Sequence, residues 1–376
     1  MNIRVIQAFS ILPDPRTGPA QRHDLQEMIV MALSSVLCGA DNWVDVAEWA
    51  GDNEDWLKKH LVLKNGTPSH DTFGRVFRLL DAAVFEQCFR HWIADIAGAA
   101  KGVIALDGKT LCGSRDGKNS ALHMVSAFAT ESGLCLGQEG TRGKGKEIIG
   151  IKTLLDTLML KDCIVTIDAI GCQSEIAEKI VERGGDYLLA VKENQGNLFE
   201  VVHEFFDEGQ TRGFGNTAVS CFETLEKDHG RIETRRYVWI DRLDWMEPSI
   251  RNNWKNLAGV GLVERQREIK GKISIECTLY IGSKGIASAQ ALANAARGHW
   301  GIENRLHWVL DVTFREDECR VRVGHAPRNL SLIRKFALTL LRQDQQYPKR
   351  SLRSRRKTAD RLPDYRESLL GLQSRG

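Results

Sequence analysis

The chain has 376 residues, with 52 Lys+Arg against 49 Asp+Glu, a formal net charge of +3. Hydrophobic residues make up 42% and charged residues 27%. These ordinary globular values exclude collagen, a coiled coil and wholesale disorder, and the length allows two or three domains. The longest apolar run, near Met28–Ala40, is interrupted by Ser34 and Ser35 and falls short of the roughly 20 residues a bilayer needs. The opening Met1-Asn2-Ile3-Arg4 leads into no signal-type core. Nine cysteines include no Cys-x-x-Cys pair, which argues against structural zinc or a disulfide framework and points to a reducing cytoplasm.

Residues 1–95 read as a helical domain. Asp24–Leu37 carries Leu25, Ile29, Leu33 and Leu37 at helical spacing, and the next stretch holds Trp43, Trp49 and Trp56. Pro68-Ser69-His70-Asp71 is a plausible cap for a helix whose apolar face is Phe73, Val76, Phe77 and Leu80. Arg75 and Arg78 fall on its other faces. They could touch phosphates, or simply form a solvated outer face.

From Gly102 the order of elements becomes definite. Val103–Leu106 is a short apolar run ending at Asp107-Gly108; Leu122–Ala129 and Leu134–Gly137 follow after turns. A helical pattern over Ile148–Leu160 leads to a buried-type strand, Cys163–Ile167, ending at Asp168. Ser174–Arg183 is helical and Tyr187–Val191 is a further strand. Three strands joined by turns predict an antiparallel meander, and strands joined through helices predict parallel crossovers. That order resembles the ribonuclease-H-like fold, an α/β mixed sheet with helices on both faces. Residues 193–284 interrupt it with alternating stretches, Arg235–Ile240, Val260–Arg265 and Ile273–Ile281, read as an antiparallel β insertion. Ala287–Ala296 is a small-residue helix leading into His299-Trp300-Gly301-Ile302-Glu303-Asn304-Arg305-Leu306-His307-Trp308.

The last segment, residues 341–376, reads as a basic tail. Arg342 to Gly376 holds ten Lys/Arg and four Asp/Glu, a net of +6 within a chain of only +3. Its densest run, with Lys349, Arg350, Arg353, Arg355, Arg356 and Lys357, could lie along a phosphate backbone or remain a solvated tail.

Asp107 and Asp168 each end an apolar strand. Alone each is an ordinary turn residue, but in neighbouring first and fourth strands both would project from one sheet edge. Adjacent carboxylates repel unless a cation neutralises them, and oxygen ligands suit Mg²⁺ or Mn²⁺. Glu303 is the candidate third acid. His299, Glu303 and His307 are spaced by four and share a helical face, which could equally be a half-exposed face over buried apolar residues. Gly108-Lys109-Thr110 is not the end of a phosphate-binding loop, because position 103 is valine.

The segments around Asp107, Asp168 and Glu303 resemble the three acidic blocks of a DDE transposase. Together with Asp14-Pro15-Arg16 and Phe314-Arg315-Glu316-Asp317, they make the chain resemble the H-repeat-associated proteins of the transposase 11 family. The resemblance implies cleavage at insertion-sequence ends and joining of the freed 3′-hydroxyl to target DNA, with two metal ions, Mg²⁺ or Mn²⁺, held by Asp107, Asp168 and Glu303. It implies double-stranded DNA as partner, a dimer on that DNA, and a cytoplasmic, nucleoid-associated location. Candidate DNA contacts are Arg75, Arg78, Lys109, Lys144, Lys146, Arg297, His299, Trp300 and the basic run from Lys349 to Lys357. Related enzymes place tyrosine seven before, arginine four before and lysine seven after the glutamate; this chain has Ala296, His299 and Leu310 there. Two other readings of the same residues are a DNA-binding protein that has lost its chemistry and a ribonuclease-H-like nuclease acting on RNA–DNA hybrids.

Overall fold

The structure is a computed structural model and describes residues 5–372 apart from Ala99, Lys118, Asn119, Lys144, Asn216 and His229. The N-terminal block contains helices α1 (Leu25–Cys38), α2 (Trp43–Asp52), α3 (His70–Leu79) and α4 (Ala82–Ala97). Their starts follow from capping chemistry. Asp24, Asn42, Ser69 and Asp81 each accept hydrogen bonds from backbone N–H groups of the first turn that follows, satisfying donors that have no partner inside the helix.

The sheet begins with β1 (Gly102–Leu111), β2 (Leu122–Ala129) and β3 (Leu134–Arg142), an antiparallel meander. Helix α5 (Glu147–Leu155) crosses to β4 (Cys163–Ile167), and α6 (Ser174–Glu182) to β5 (Asp186–Val191); β1–β4 and β4–β5 pair in parallel. This mixed sheet is ribonuclease-H-like. Its central strands are apolar because both faces are covered. Ile104 and Leu106 of β1 enter one core with Val165 and Ile167, while Ala105 enters the other with Phe128, Ile302 and Leu306.

The β-rich insertion differs from the expected set of three strands. It opens with helix α7 (Gly196–Arg212) and has four strands, β6 (Ser220–Asp228), β7 (Arg231–Ile240), β8 (Gly259–Ile269) and β9 (Lys272–Gly282). Strand β9 pairs antiparallel with β5, so one nine-stranded sheet runs in the order β3-β2-β1-β4-β5-β9-β8-β7-β6. The insertion therefore extends the core sheet.

Helix α8 (Ala289–Ile302) returns across β1 and β4, continues through a π turn at Glu303–His307 and ends as α9 (Trp308–Phe314). Helix α10 (Ala326–Gln343) packs on the N-terminal block through Leu330, Ile333, Phe336 and Ala337.

The segment expected as a solvated basic tail is folded. It forms α11 (Leu352–Arg361) and α12 (Pro363–Leu370), seated against α1. Arg355 and Arg356 are buried. Arg355 donates to the carbonyls of Arg350 at 3.0 Å and Pro348 at 2.9 Å, and Arg356 donates to Val36 at 2.7 Å. Arg356 also lies 4.3 Å from the Phe314 ring centroid and is pulled down to about 10 by burial. These guanidiniums bond backbone acceptors, those of Pro348 and Arg350 in the loop before α11 and that of Val36 in the last turn of α1. Lys349, Arg353 and Lys357 are exposed; Arg350 is also exposed but stacks 3.9 Å from the Tyr347 ring centroid.

Candidate active site

Two sequence-distant aspartates meet at neighbouring strands of the sheet. Parallel pairing sets Leu106 opposite Ile167, so the next residues, Asp107 and Asp168, are neighbours; Asp168 directly follows the end of β4, whereas Asp107, expected to end its strand, lies within β1 and pairs with Ser126. Asp107 accepts a hydrogen bond from the Gly108 N–H at 2.9 Å, and its other oxygen lies 3.3 Å from His307 Nε2. Burial alone would raise its pKa, but His307, with His299 and the Gly108 N–H, holds the carboxyl below its ordinary value. Asp168 moves the other way. Burial raises it, and the negative charges of Asp107 and Glu147 add to that.

The helix beyond β9 is docked along β1 by contacts in matching steps. A Cβ on Gly298 would lie 3.0 Å from Val103, so glycine allows the close approach. Further along, His307 meets Asp107, and Asp311 accepts a hydrogen bond from Lys109. Two residues of strand span about 6.6 Å, and four of helix about 6 Å. The two rungs therefore match, and strand and helix run in the same direction. The π turn starts at Glu303. A π turn takes an extra residue, which offsets the rotation that positions spaced by four accumulate along an α-helix. His299 and His307 consequently both address Asp107, and Glu303 lies between them with an exposed side chain.

His299 is half-buried, its Nδ1 3.1 Å from Thr166 Oγ1, and desolvation lowers its pKa. It is a neutral packing and hydrogen-bonding partner of the site rather than an outward cation. Lys109, expected as a DNA contact, is committed within the protein. Its ammonium pairs with Asp311, with Glu316 at 3.2 Å and with Asp317 at 3.4 Å. Burial opposes its charge, but these acids outweigh burial and raise its pKa. Arg297 pairs with Glu226 at 2.5 Å. Trp300 is 37% exposed beneath Arg265, whose guanidinium is 4.3 Å from the ring centroid. Lys146 is exposed at the start of α5, and Lys144 lies outside the described residues.

His123 and Glu147 were not legible in the sequence as parts of this site. They are 3.1 Å apart. A Cβ on Gly108 would fall 2.2 Å from both His123 Nε2 and a Glu147 oxygen, so the pair fills the space that the glycine leaves. Glu147, Asp107 and Asp168 raise the His123 pKa against burial. Their only signal in the sequence is Gly108 itself, the residue that must be bare.

Among the described residues no three His, Cys, Asp or Glu groups are clustered so as to hold a metal ion. The aspartate pair nevertheless fits a hard divalent cation. Its donors are carboxylate oxygens, and the repulsion that raises Asp168 is what such a cation would relieve.

Comparison with known proteins gives the same picture over nearly the whole chain. Residues 98–340 match the family described as "Transposase DDE domain", and residues 6–93 match "DDE_Tnp_1-associated". The Escherichia coli O157:H7 protein named "Putative transposase YncI" is 39% identical over 361 residues, covering 94% of this chain and 91% of that protein. The Escherichia coli K12 protein named "H repeat-associated putative transposase YhhI" is 36% identical over 363 residues, 95% of each. A shorter relative named "Inactive transposase YbfQ", also from K12, is 32% identical over 73 residues, 19% of this chain and 87% of its own length. DDE transposases generally use divalent metal ions and act on DNA. The chain belongs to the DDE transposase family, with its H-repeat-associated members among its relatives.

Proposed function

We propose that the protein cuts DNA at the ends of an insertion sequence and joins the freed 3′-hydroxyl to target DNA. The observation that carries this reading is the convergence of Asp107 and Asp168 at neighbouring strands, with the Glu303 helix locked beside them through His307. Asp107, Asp168 and Glu303 would hold the divalent ions, Mg²⁺ or Mn²⁺. When bound, these supply charge neutralisation at the attacking and leaving oxygens of a phosphodiester. His307 keeps Asp107 ionised and oriented. His299 braces the helix on β4 through Thr166. In the cutting step a P–O3′ bond breaks. The water oxygen goes to phosphorus, one of its protons is lost to solvent, and a proton returns to the 3′ oxygen. In joining, the freed 3′ oxygen attacks a target phosphodiester and displaces its 3′ oxygen.

Purified protein incubated with Mg²⁺ and DNA carrying the element's ends should nick it, and Asp107→Ala should abolish nicking. Equal activity of wild type and variant would refute the assignment. A second reading, DNA binding without chemistry, is favoured by one observation: the position four before Glu303 holds His299, whose pKa desolvation lowers, rather than a fixed cation. Tight end binding with no cleavage in Mg²⁺ or Mn²⁺ would support it. We also propose that Arg75, Arg78, Lys146, Lys349, Arg353 and Lys357, all exposed, contact DNA phosphates, and that two copies act together on a pair of ends.

A further inference from the structure

A cleft of about 730 Å³ lies between the N-terminal helices and the segment that follows α9. One wall is α2 and α3; the other is the irregular stretch Arg315–Val323. The two walls are fastened together. The His325 N–H donates to the Arg78 carbonyl at 3.2 Å. The Asn329 side-chain amide donates to the carbonyls of Phe77 at 2.8 Å and Leu80 at 2.9 Å. Gly324, at φ +57°, comes so close that a Cβ would sit 2.8 Å from the Arg78 carbonyl oxygen. The cleft is therefore a fixed feature of the joint between the two family-matched regions.

Its walls carry five arginines, Arg75, Arg78, Arg315, Arg320 and Arg322, against four acids, Asp41, Asp45, Asp71 and Glu318. Each acid has a neighbour within the chain. Glu318 pairs with Arg315, Asp41 lies 3.8 Å from Arg315 and 3.7 Å from Arg356, Asp45 accepts the Asp41 N–H at 2.9 Å, and Asp71 is 3.5 Å from His70. Among the described residues, the guanidiniums of Arg75, Arg78 and Arg320 have no hydrogen-bond or ion-pair partner, and all three are exposed. Arg75 and Arg78 are three apart on α3, so they share a helix face; Arg320 comes from the opposite wall. Three uncommitted, planar, permanently charged donors around one concavity suit phosphate oxygens. The contrast with Arg355 and Arg356, whose donors are consumed by carbonyls, sets these three apart.

We infer that this cleft binds the phosphate backbone of double-stranded DNA through Arg75, Arg78 and Arg320, on a surface that neither region forms alone. The inference rests on the proposed function and adds the place and composition of the binding surface. Arg322, on the same wall as Arg320, donates to the Gly113 carbonyl at 3.0 Å. Gly113 is six residues beyond Asp107, at most about 20 Å of extended chain. The cleft wall at Arg322 is thus tied to the segment that follows the strand carrying Asp107.

The test is the salt dependence of binding to a short random-sequence duplex, without divalent ions, by fluorescence anisotropy. Each arginine that neutralises a phosphate contributes about 0.9 to the slope of log K against log salt. The triple variant Arg75→Ala, Arg78→Ala, Arg320→Ala should lose about 2.7 units of slope. Between 50 and 200 mM salt it should then weaken about 40-fold less than wild type. The corresponding triple lysine variant, with its charges intact, should keep the slope. A triple alanine variant with an unchanged slope and wild-type circular dichroism overturns the inference, and with it Arg75 and Arg78 as phosphate contacts, while leaving the proposed cutting and joining standing. Failure of the wild-type protein to bind duplex DNA at all overturns both.

Discussion

Two arginine-rich regions of this molecule have opposite fates. The run from Lys349 to Lys357 is the densest positive stretch in the sequence, yet Arg355 and Arg356 are buried against main-chain carbonyls. Arg75, Arg78 and Arg320 at the α3 cleft are scattered through 246 positions of sequence and have no partners among the described residues. Charge density along a chain therefore says little about where a polyanion binds. What matters is whether each guanidinium already has acceptors. A buried arginine with its donors filled is part of the scaffold, whereas an exposed one with open donors is available for a ligand.

The comparison can be broken by mutation. Arg356→Ala should have the largest effect, a loss of about 3–5 kcal/mol in denaturant unfolding, because it removes a buried guanidinium's bond to the Val36 carbonyl and the cation beside Asp41. A change below about 1 kcal/mol would show that burial has been misread as a structural role. Lys109→Met should follow at about 3 kcal/mol by the same assay. It leaves buried Glu316 beside Asp311 without their shared ammonium.

Acid titration tests the histidine rung. The Asp107 carboxyl is held below its ordinary value. Its stabilising contribution is therefore complete above the usual carboxylate range, near pH 4, and is lost as pH falls through the lowered folded value. His307→Ala should flatten that part of the acid limb in a melting-temperature series; an unaltered limb would remove His307 from the account of Asp107. Asp168 has the opposite sign, since burial and its acidic neighbours raise it. Asp168→Asn should thus raise the metal-free melting temperature at neutral pH, and should diminish the further rise that Mg²⁺ gives the wild type. The smallest effect is expected for Arg78→Ala. Its stability should stay within about 0.5 kcal/mol of wild type, the converse of Arg356→Ala.

Much of the fold was legible because β1, β4 and β5 are covered on both faces and so read as short apolar runs ending in turn residues. That put Asp107 and Asp168 at neighbouring strands, as they are, though β1 runs on past Asp107 to Leu111. Strand β6 was missed because its alternation is between polar residues, as in Glu223, Glu226 and Lys227, which carry no hydrophobic period. The C-terminal helices were missed for a related reason: a charge run masked Ser351 as a cap and Ala359, Tyr365 and Leu369 as buried positions. Nothing local announces that an arginine will meet a carbonyl more than three hundred residues away. The same limit hid His123 and Glu147, which join the site only once β2 and α5 are folded against Gly108.

The seating of α11 and α12 on the first helices has a consequence during synthesis. The Trp49 indole donates to Asp360 at 3.2 Å and the Trp56 indole to Glu367 at 2.8 Å, each across 311 positions. At roughly 5–20 residues per second, the opening helices leave the ribosome roughly 15–60 s before these acceptors are made. For that interval their tryptophans face solvent, and a chain released early keeps them there, an exposed aromatic surface open to proteolysis and aggregation.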